Sequence, residues 1–417
     1  MVRPRLKSRP RGACGPVMRP LERLAYIDGW RVVAIALVFL DHLGMNRTIG
    51  AFYEASPFGV LSQYGETGVF IFFFISGYVV SLACLAEVAT SGTFSAPAFY
   101  ARRFFRIAPP LMLYLASCLA LGAGGFIDVS LDNFLSASLY LCNSTAPLVS
   151  CNWYVGHTWS LAFEEQFYWL FPVVFVFLEL GGRPRLAVAA AVLIFAAIPL
   201  VFTIWWIGKT GFFIAYALFF AGYAAARHGA RLMEASRRYR FRALIVAAAV
   251  VFMPRSVVAS FGADEAAKAE LIAYYRLLYV AAIPAMVLLS GAAGSSLRAA
   301  LSIRPVAYLG RASYSIYLWQ QLINGPVFNG AGVFEQAALT VGLLLFCLLL
   351  FQLELKIVAF GNQWSKALRA GAPLFSVATL RASLSARERA HVRARAPAAL
   401  RPGIFLKSPR RVRRNRV

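Results

Sequence analysis

Four ionisable residues interrupt an otherwise apolar stretch near the start of the chain. Asp28, Arg31, Asp41 and His42 lie between Ile27 and Leu43, separated mainly by Val, Ala, Ile, Leu and Phe. A charge at mid-bilayer costs about 3 kcal/mol on insertion scales, so such groups face a protein interior or a wet cavity. On a helix, Arg31 and His42 are eleven residues apart and return to within about 20° of one direction. Asp28 falls within about 40° of His42, whereas Asp41 points about 100° away. A carboxylate, a guanidinium and an imidazole are thus expected along about 16 Å of one helix face, turned toward a single hollow reachable from the cytosol. Imidazole exchanges its proton near neutral pH, and guanidinium forks bind phosphate and carboxylate. The plainer reading pairs Arg31 with Asp28 as a headgroup anchor and packs His42 near the opposite interface.

Two further clusters carry candidate chemistry. In Tyr100-Ala-Arg102-Arg103-Phe-Phe-Arg106-Ile-Ala-Pro109-Pro110, Arg103 and Arg106 are three apart, so their guanidinium groups meet one face of a helix. They suit a phosphate at the membrane surface; ordinary positive-inside anchoring would also place arginine there. In Trp153-Tyr-Val-Gly-His157-Thr-Trp159-Ser160-Leu-Ala-Phe163-Glu164-Glu165-Gln166-Phe167-Tyr168, Ser160, Glu164 and Tyr168 share a face. Glu164 is therefore the inward carboxylate and Glu165 its flank. Glu164 could orient a histidine, accept a proton, or neutralise an arginine on a neighbouring helix. His157 is a second candidate base, whereas His228 and His391 lie in basic regions and read as surface histidines. The stretch from Gly65 to Tyr78, rich in Gly and Phe, reads first as close helix packing. Tyr308 to Gln321 puts hydroxyls and amides into an apolar segment, either to line a cavity or to join helices.

These groups need a membrane-embedded frame. The 417 residues are 60% hydrophobic and 14% charged, against about 25% charged in soluble domains. The composition predicts an all-α, polytopic membrane protein with about ten transmembrane helices around a polar cavity. The expected spans are 27–43, 66–85, 107–124, 159–180, 186–206, 211–227, 243–261, 271–291, 309–326 and 331–351, each near the roughly 20 residues needed to cross. The formal net charge of +24 collects at both ends and in alternate loops, which places both termini in the cytoplasm by the positive-inside rule. It argues against nucleic-acid binding, which needs a basic face on a soluble fold. Residues 1–26 form a basic N-terminal segment, 27–351 the membrane domain, and 352–417 a basic tail drawn to anionic lipid. The first apolar stretch holds Arg31 and lacks a small-residue cleavage site, so it reads as a retained span rather than a signal peptide. Six cysteines show no metal-type spacing; Cys142 and Cys151 share one polar loop and could pair. No repeat relates the two halves in register, which weighs against a duplicated transporter.

Taken together, the motifs resemble the acyltransferase 3 family, integral membrane enzymes that move acyl groups onto sugars and related acceptors. The matching pieces are Ile27-Asp28-Gly29 with Arg31 and His42, Phe72-Phe-Phe-Ile-Ser76-Gly77-Tyr78, and Arg103-Phe-Phe-Arg106-Ile-Ala-Pro109. Two more are Trp159-Ser-Leu-Ala-Phe-Glu164-Glu165-Gln-Phe-Tyr168 and Gly310-Arg-Ala-Ser313-Tyr314-Ser-Ile-Tyr317-Leu-Trp319. They follow the family's order over roughly residues 21 to 351. The resemblance implies an acyl-CoA co-substrate, acetyl-CoA first, drawn from the cytoplasm of a bacterial inner membrane. It implies His42 as the essential histidine, with Arg31, Arg103 and Arg106 holding the donor or serving catalysis. Glu164 or Asp28 would orient or charge-stabilise the imidazole, the acceptor would be a carbohydrate, and neither a metal nor a permanently bound cofactor is expected. One departure stands out: many members carry histidine after Tyr-Leu-Trp, where this chain has Gln320, which cannot shuttle a proton near neutral pH. The rival readings are a transporter or flippase using the same Arg, His and Glu residues as a solute or proton path, and a catalytically inactive relative. The sequence fixes neither the acceptor, the acyl chain length nor the oligomeric state.

Overall fold

The computed structural model describes residues 20–45, 56, 59–180, 208–292, 294–328, 330 and 332–370. These form helices and connecting loops, with no strand among them. In chain order the helices are α1 (Pro20–Gly44), α2 (Gly65–Ser91), α3 (Ala96–Ala123), α4 (Leu131–Ser138), α5 (Trp153–Gly156), α6 (Trp159–Leu180) and α7 (Gly208–Ala235). Then come α8 (Arg240–Val251), α9 (Arg255–Ala259), α10 (Glu265–Leu277), α11 (Tyr279–Ser290), α12 (Ser296–Leu301), α13 (Arg304–Arg311), α14 (Ser313–Ile323) and α15 (Val333–Arg369).

Helix α1 is the hub. Ile27, Trp30, Ala34, Ile35, Leu37 and Val38 are all buried, and at about 100° per residue they fall within about 160° of one another, one broad apolar stripe turned to the core. It packs against α2, α12, α13 and α14, and Trp30 Nε1 donates to Ser290 Oγ on α11 at 2.8 Å. Small residues bring the neighbours close. A Cβ on Gly29 would collide with Leu301, and one on Gly310 would strike the Asp28 carbonyl. Along α2, Gly65 abuts the Asp41 side chain, Gly68 the Ala34 carbonyl and Gly77 the Phe219 carbonyl. On α7, Gly222 meets the backbone of Gly77 and Tyr78 in return. The expected packing role of the Gly65–Tyr78 stretch is what the helix crossings use. Aromatic rings fill the space beside this crossing, with Phe219 stacked on Phe167 at 4.4 Å and tilted against Phe73 at 4.8 Å.

Five helical stretches are long and apolar enough to cross a membrane: Gly59–Ser91, Ala96–Ala123, Trp153–Glu179, Thr210–Ala235 and Val333–Arg369. The pair α10 and α11, bent by 42° at Leu278, supplies a sixth. The expected count of about ten is not reached among the described residues, for identifiable reasons. The segment 27–43 lies in α1, whose ionisable residues lower its hydropathy. The segment 243–261 breaks into α8 and α9 around Pro254, and 309–326 breaks into α13 and α14 at Ala312. The expected span 186–206 lies outside the described residues. Elsewhere the helices outrun the apolar windows, because polar turns continue the same hydrogen-bonded rods.

Helix α15 runs past the expected domain edge at 351 and is tied down there. Glu87 on α2 pairs with both Arg102 and Arg369, and Arg102 also donates to Ser365 Oγ at 2.7 Å. Phe105 packs on Phe360 and Trp364, at 5.4 and 6.1 Å between ring centres, and Gly361 touches the Phe105 side chain.

Candidate active site

Two cavities flank the middle of α1. Arg31 opens into one, together with Ser76 of α2, Arg103 and Arg106 of α3, and Glu164 and Tyr168 of α6. His42 opens into the other, with Asp41, Glu66, His157, Arg255 and Arg276. Val69 and Tyr317 line both. The space expected as a single hollow from helical phase is thus two adjoining cavities that meet at these two side chains. Phase alone places Arg31 and His42 on one side of a helix; α2 and α14 pack across that side between them. Asp41, expected to point elsewhere, lines the same cavity as its neighbour His42.

The arginine cavity is built by crossing helices. Ser95 caps α3, its side chain accepting from the Ala98 N–H, and the first turns of α3 carry Arg102, Arg103 and Arg106. Arg102 turns to Glu87, as above, and serves structure. Arg103 sits over the Tyr168 ring, its guanidinium carbon 5.4 Å from the centre, a cation–π arrangement. Its Nε is buried with no hydrogen-bond partner among the described residues. Arg31 pairs with Asp28 one turn back, so the anchoring pair and the cavity-facing guanidinium are one and the same. Glu164 accepts from Ser76 Oγ at 2.5 Å and from the Tyr168 hydroxyl. Glu165 lies on the flank and lines a separate groove between α3 and α6 with Arg103, Tyr140 and Trp169. Three guanidinium groups against one cavity-lining carboxylate leave this chamber with an excess of positive charge.

The histidine cavity has a different character. The His42 ring meets Trp153 edge-on at 5.7 Å, and its Nδ1 lies 2.8 Å from Gln320 Nε2 and 3.0 Å from Gln320 Oε1. Neither Glu164 nor Asp28 is its partner. Glu164 lines the other chamber, and Asp28 lies about 21 Å away along α1 at 1.5 Å per residue. The expected carboxylate behind the imidazole is replaced by an amide. Beyond His42, Glu66 pairs with Arg255 at 2.9 Å and with Arg276. Two arginines thus share Glu66, Asp41 lies in the same cavity, and Trp153 and Trp159 add flat apolar walls. His157 also lines this chamber, wedged between Tyr114 at 5.5 Å and Tyr317 at 5.4 Å. Cys142 and Cys151 are joined by a disulfide, and Cys151 reaches the cavity edge.

Arg255, Arg276 and Glu66 are not among the site residues expected from the sequence. Each lies in or at the edge of an expected span, and an ionisable residue at such a position is itself the signal. Glu354, beyond the last expected span, accepts from Ser315 Oγ. No group of His, Cys, Asp or Glu capable of holding a metal ion occurs among the described residues.

A Staphylococcus aureus strain COL protein named for O-acetyltransferase activity is 30% identical over 178 residues, 39% of this chain and 27% of the relative. The O-acetyltransferase OatA of Staphylococcus aureus strain NCTC 8325 is 28% identical over 170 residues, 38% of this chain and 26% of the relative. The match thus spans about a quarter of the length of these curated relatives. No solved structure matches the chain. The acyltransferase domain signature covers residues 24–353, and with them every cavity residue named above, so the chain belongs to the acyltransferase 3 family.

Proposed function

We propose that the protein is an integral membrane O-acyltransferase that moves an acyl group, acetyl in the simplest case, from acyl-CoA to a carbohydrate hydroxyl of a surface or secreted glycan. One observation carries the reading beyond family membership: a cavity with an excess of guanidinium groups adjoins the cavity of the histidine, the two meeting at Val69 and Tyr317. The arginine cavity suits the donor. Arg31, Arg103 and Arg106 hold its phosphates through charge-assisted hydrogen bonds, and the pantetheine arm directs the thioester toward Val69 and Tyr317. The histidine cavity suits the acceptor. The Glu66 carboxylate with its two guanidinium partners, together with Asp41, matches hydroxyl groups, and Trp153 and Trp159 offer faces for a sugar ring.

In the proposed reaction the acceptor oxygen attacks the thioester carbonyl while His42 Nε2 takes the hydroxyl proton. The new O–C bond forms, the C–S bond breaks, and the proton passes from His42 to the departing thiolate to give free CoA. General-base assistance of this kind contributes about 100- to 10,000-fold in rate. Glu164, held by Ser76 and Tyr168, organises the donor side. The arrangement favours an orientation in the bacterial inner membrane with the arginine cavity toward the cytoplasm, where acyl-CoA is made. The Cys142–Cys151 disulfide supports placing the histidine cavity outside, since disulfides persist in oxidising compartments.

Purified full-length protein in vesicles tests this. With acetyl-CoA it should release free thiol only when a glycan acceptor is present, and His42→Ala should abolish release in protein that still inserts. A divided pair of chambers is also what a transporter in an occluded state would show. Movement of label across the vesicle without thioester consumption would establish that reading and overturn the enzymatic one.

A further inference from the structure

Gln320 is completely buried, and its amide belongs to a chain whose direction is fixed at both ends. At one end Gln321 Nε2 donates to the Trp153 carbonyl at 3.0 Å. This turns Gln321 Oε1 toward Gln320, whose Nε2 donates to it at 3.1 Å. At the other end Gln336 Nε2 donates to the Ile323 carbonyl at 3.1 Å and to Asn324 Oδ1 at 3.4 Å. Asn324 Nδ2 is thereby turned toward Gln320 Oε1, to which it donates at 3.1 Å. Because a carbonyl can only accept, the two backbone anchors settle which end of each amide is nitrogen, a choice otherwise open for Asn and Gln.

The Gln320 amide then has a remainder. One of its two Nε2 hydrogens serves Gln321 and one of its two Oε1 lone pairs serves Asn324, leaving one hydrogen and one lone pair. Both atoms holding the remainder face the same ring nitrogen, with His42 Nδ1 at 2.8 and 3.0 Å. A carboxylate in this place would offer only lone pairs, and so would hold the proton on Nδ1. An amide with both a hydrogen and a lone pair to spare satisfies Nδ1 bare, protonated, or as part of an imidazolium.

We propose that Gln320 is the positioning residue of His42, presenting a donor and an acceptor to Nδ1 so that the fixed imidazole can carry its single proton on either nitrogen. The proposal rests on His42 being the base of the acyl transfer. The form with the proton on Nδ1 bares Nε2 for the acceptor hydroxyl; when Nε2 gains that proton, Nδ1–H stays bonded to Oε1 and no side chain has to turn. The network from α14 to α15 is therefore part of the reaction's machinery, and a glutamine after Tyr-Leu-Trp is a working alternative to histidine. The other ionisable groups around this ring are Asp41 on its own helix, Glu66 on α2, Arg255 on α9, Arg276 on α10 and His157 before α6; none is hydrogen-bonded to Nδ1.

The test is 15N-histidine spectroscopy of the full-length protein in lipid vesicles at neutral pH. The chain has four histidines, and His42→Asn identifies the signals of His42. Wild-type protein should show both neutral tautomers at His42. Gln320→Glu should leave only the form protonated on Nδ1. A carboxylate offers no hydrogen there, and if it is protonated its one hydrogen is claimed by Gln321 Oε1. Gln320→Met, which keeps the side-chain length and removes both groups, should change the tautomer ratio. It should also lower kcat by up to about 100-fold through a loosened ring, with KM for acetyl-CoA within about twofold of wild type. A single neutral tautomer in the wild type, or spectra unchanged in both variants, overturns the proposal. Full activity of His42→Asn would instead overturn the role of His42 in the transfer, while the spectra would still report on Gln320.

Discussion

The Tyr317 hydroxyl donates to the His157 carbonyl oxygen at 2.6 Å, pinning the phenol in the wall between the two cavities. Ser160 Oγ lies 2.6 Å from the same hydroxyl, and the ring rests edge-on against Phe72 at 6.5 Å. Tyr317→Phe keeps the ring and removes both polar ties, worth about 1 kcal/mol each. We expect a lower unfolding temperature in detergent and more thiol release in the absence of acceptor, because the thioester meets water through a looser wall. Acceptor-free release at the wild-type rate would contradict a gating wall.

Arg103 and Arg106 differ from Arg102 in facing the cavity rather than Glu87. Arg106→Lys preserves charge and loses the planar fork that grips phosphate at two points. We expect KM for acetyl-CoA to rise about tenfold, equivalent to about 1.4 kcal/mol, with kcat within about twofold. Steady-state kinetics against donor concentration decides it. A fall in kcat with unchanged KM would move Arg106 from donor binding to the chemical step.

The Glu66 carboxylate serves two cations, Arg255 and Arg276, and the Arg276 side chain is only 13% exposed. Removing the shared partner strands a buried charge, which costs about 3 kcal/mol or more. Glu66→Gln should therefore destabilise the protein well beyond Arg255→Gln, since Arg255 is 39% exposed and rehydrates readily. Equal losses in chemical denaturation would mean that the two arginines do not share the carboxylate as drawn.

Two glycines on α7 should respond with opposite signs. Gly222→Val must push against the backbone of Gly77 and Tyr78, and overpacking of this kind costs about 1 to 3 kcal/mol. Gly229 has nothing within 4 Å of where a Cβ would sit, so Gly229→Ala should be neutral or stabilising by up to about 1 kcal/mol through helix propensity. Thermal melts of the two variants check the crossing directly.

The readable parts of this protein were those where chemistry is expensive. His42, Arg31, Arg103, Arg106 and Glu164 announced themselves as charges in apolar surroundings, and every one of them lines a cavity. The glycines at 65, 68 and 77 likewise declared a close crossing. Helical phase failed between Arg31 and His42, because residues far along the chain, Val69 and Tyr317, decide whether two positions on one face share a space. Other features also hid structure: α1 carries Asp28, Arg31, Asp41 and His42 and so falls short of a membrane-span composition, whereas α9 and α14 are too short to span because the chain breaks around Pro254 and at Ala312. The amide behind His42 was visible as a letter, Gln320, but its orientation depends on Gln321, Asn324 and Gln336 closing a chain in three dimensions.

The anchoring of Arg369 changes what counts as the unit of folding. The signature shared with relatives stops at residue 353, yet the rod it ends on continues to Arg369 and braces the very stretch of α3 that carries Arg103 and Arg106, the arginines proposed to bind the donor. A chain trimmed to the shared region would leave Glu87 with a single cation and strip Phe105 of its aromatic backing from Phe360 and Trp364. Sequence kinship and mechanical integrity thus end at different residues, and engineering guided by kinship alone would cut away a strut.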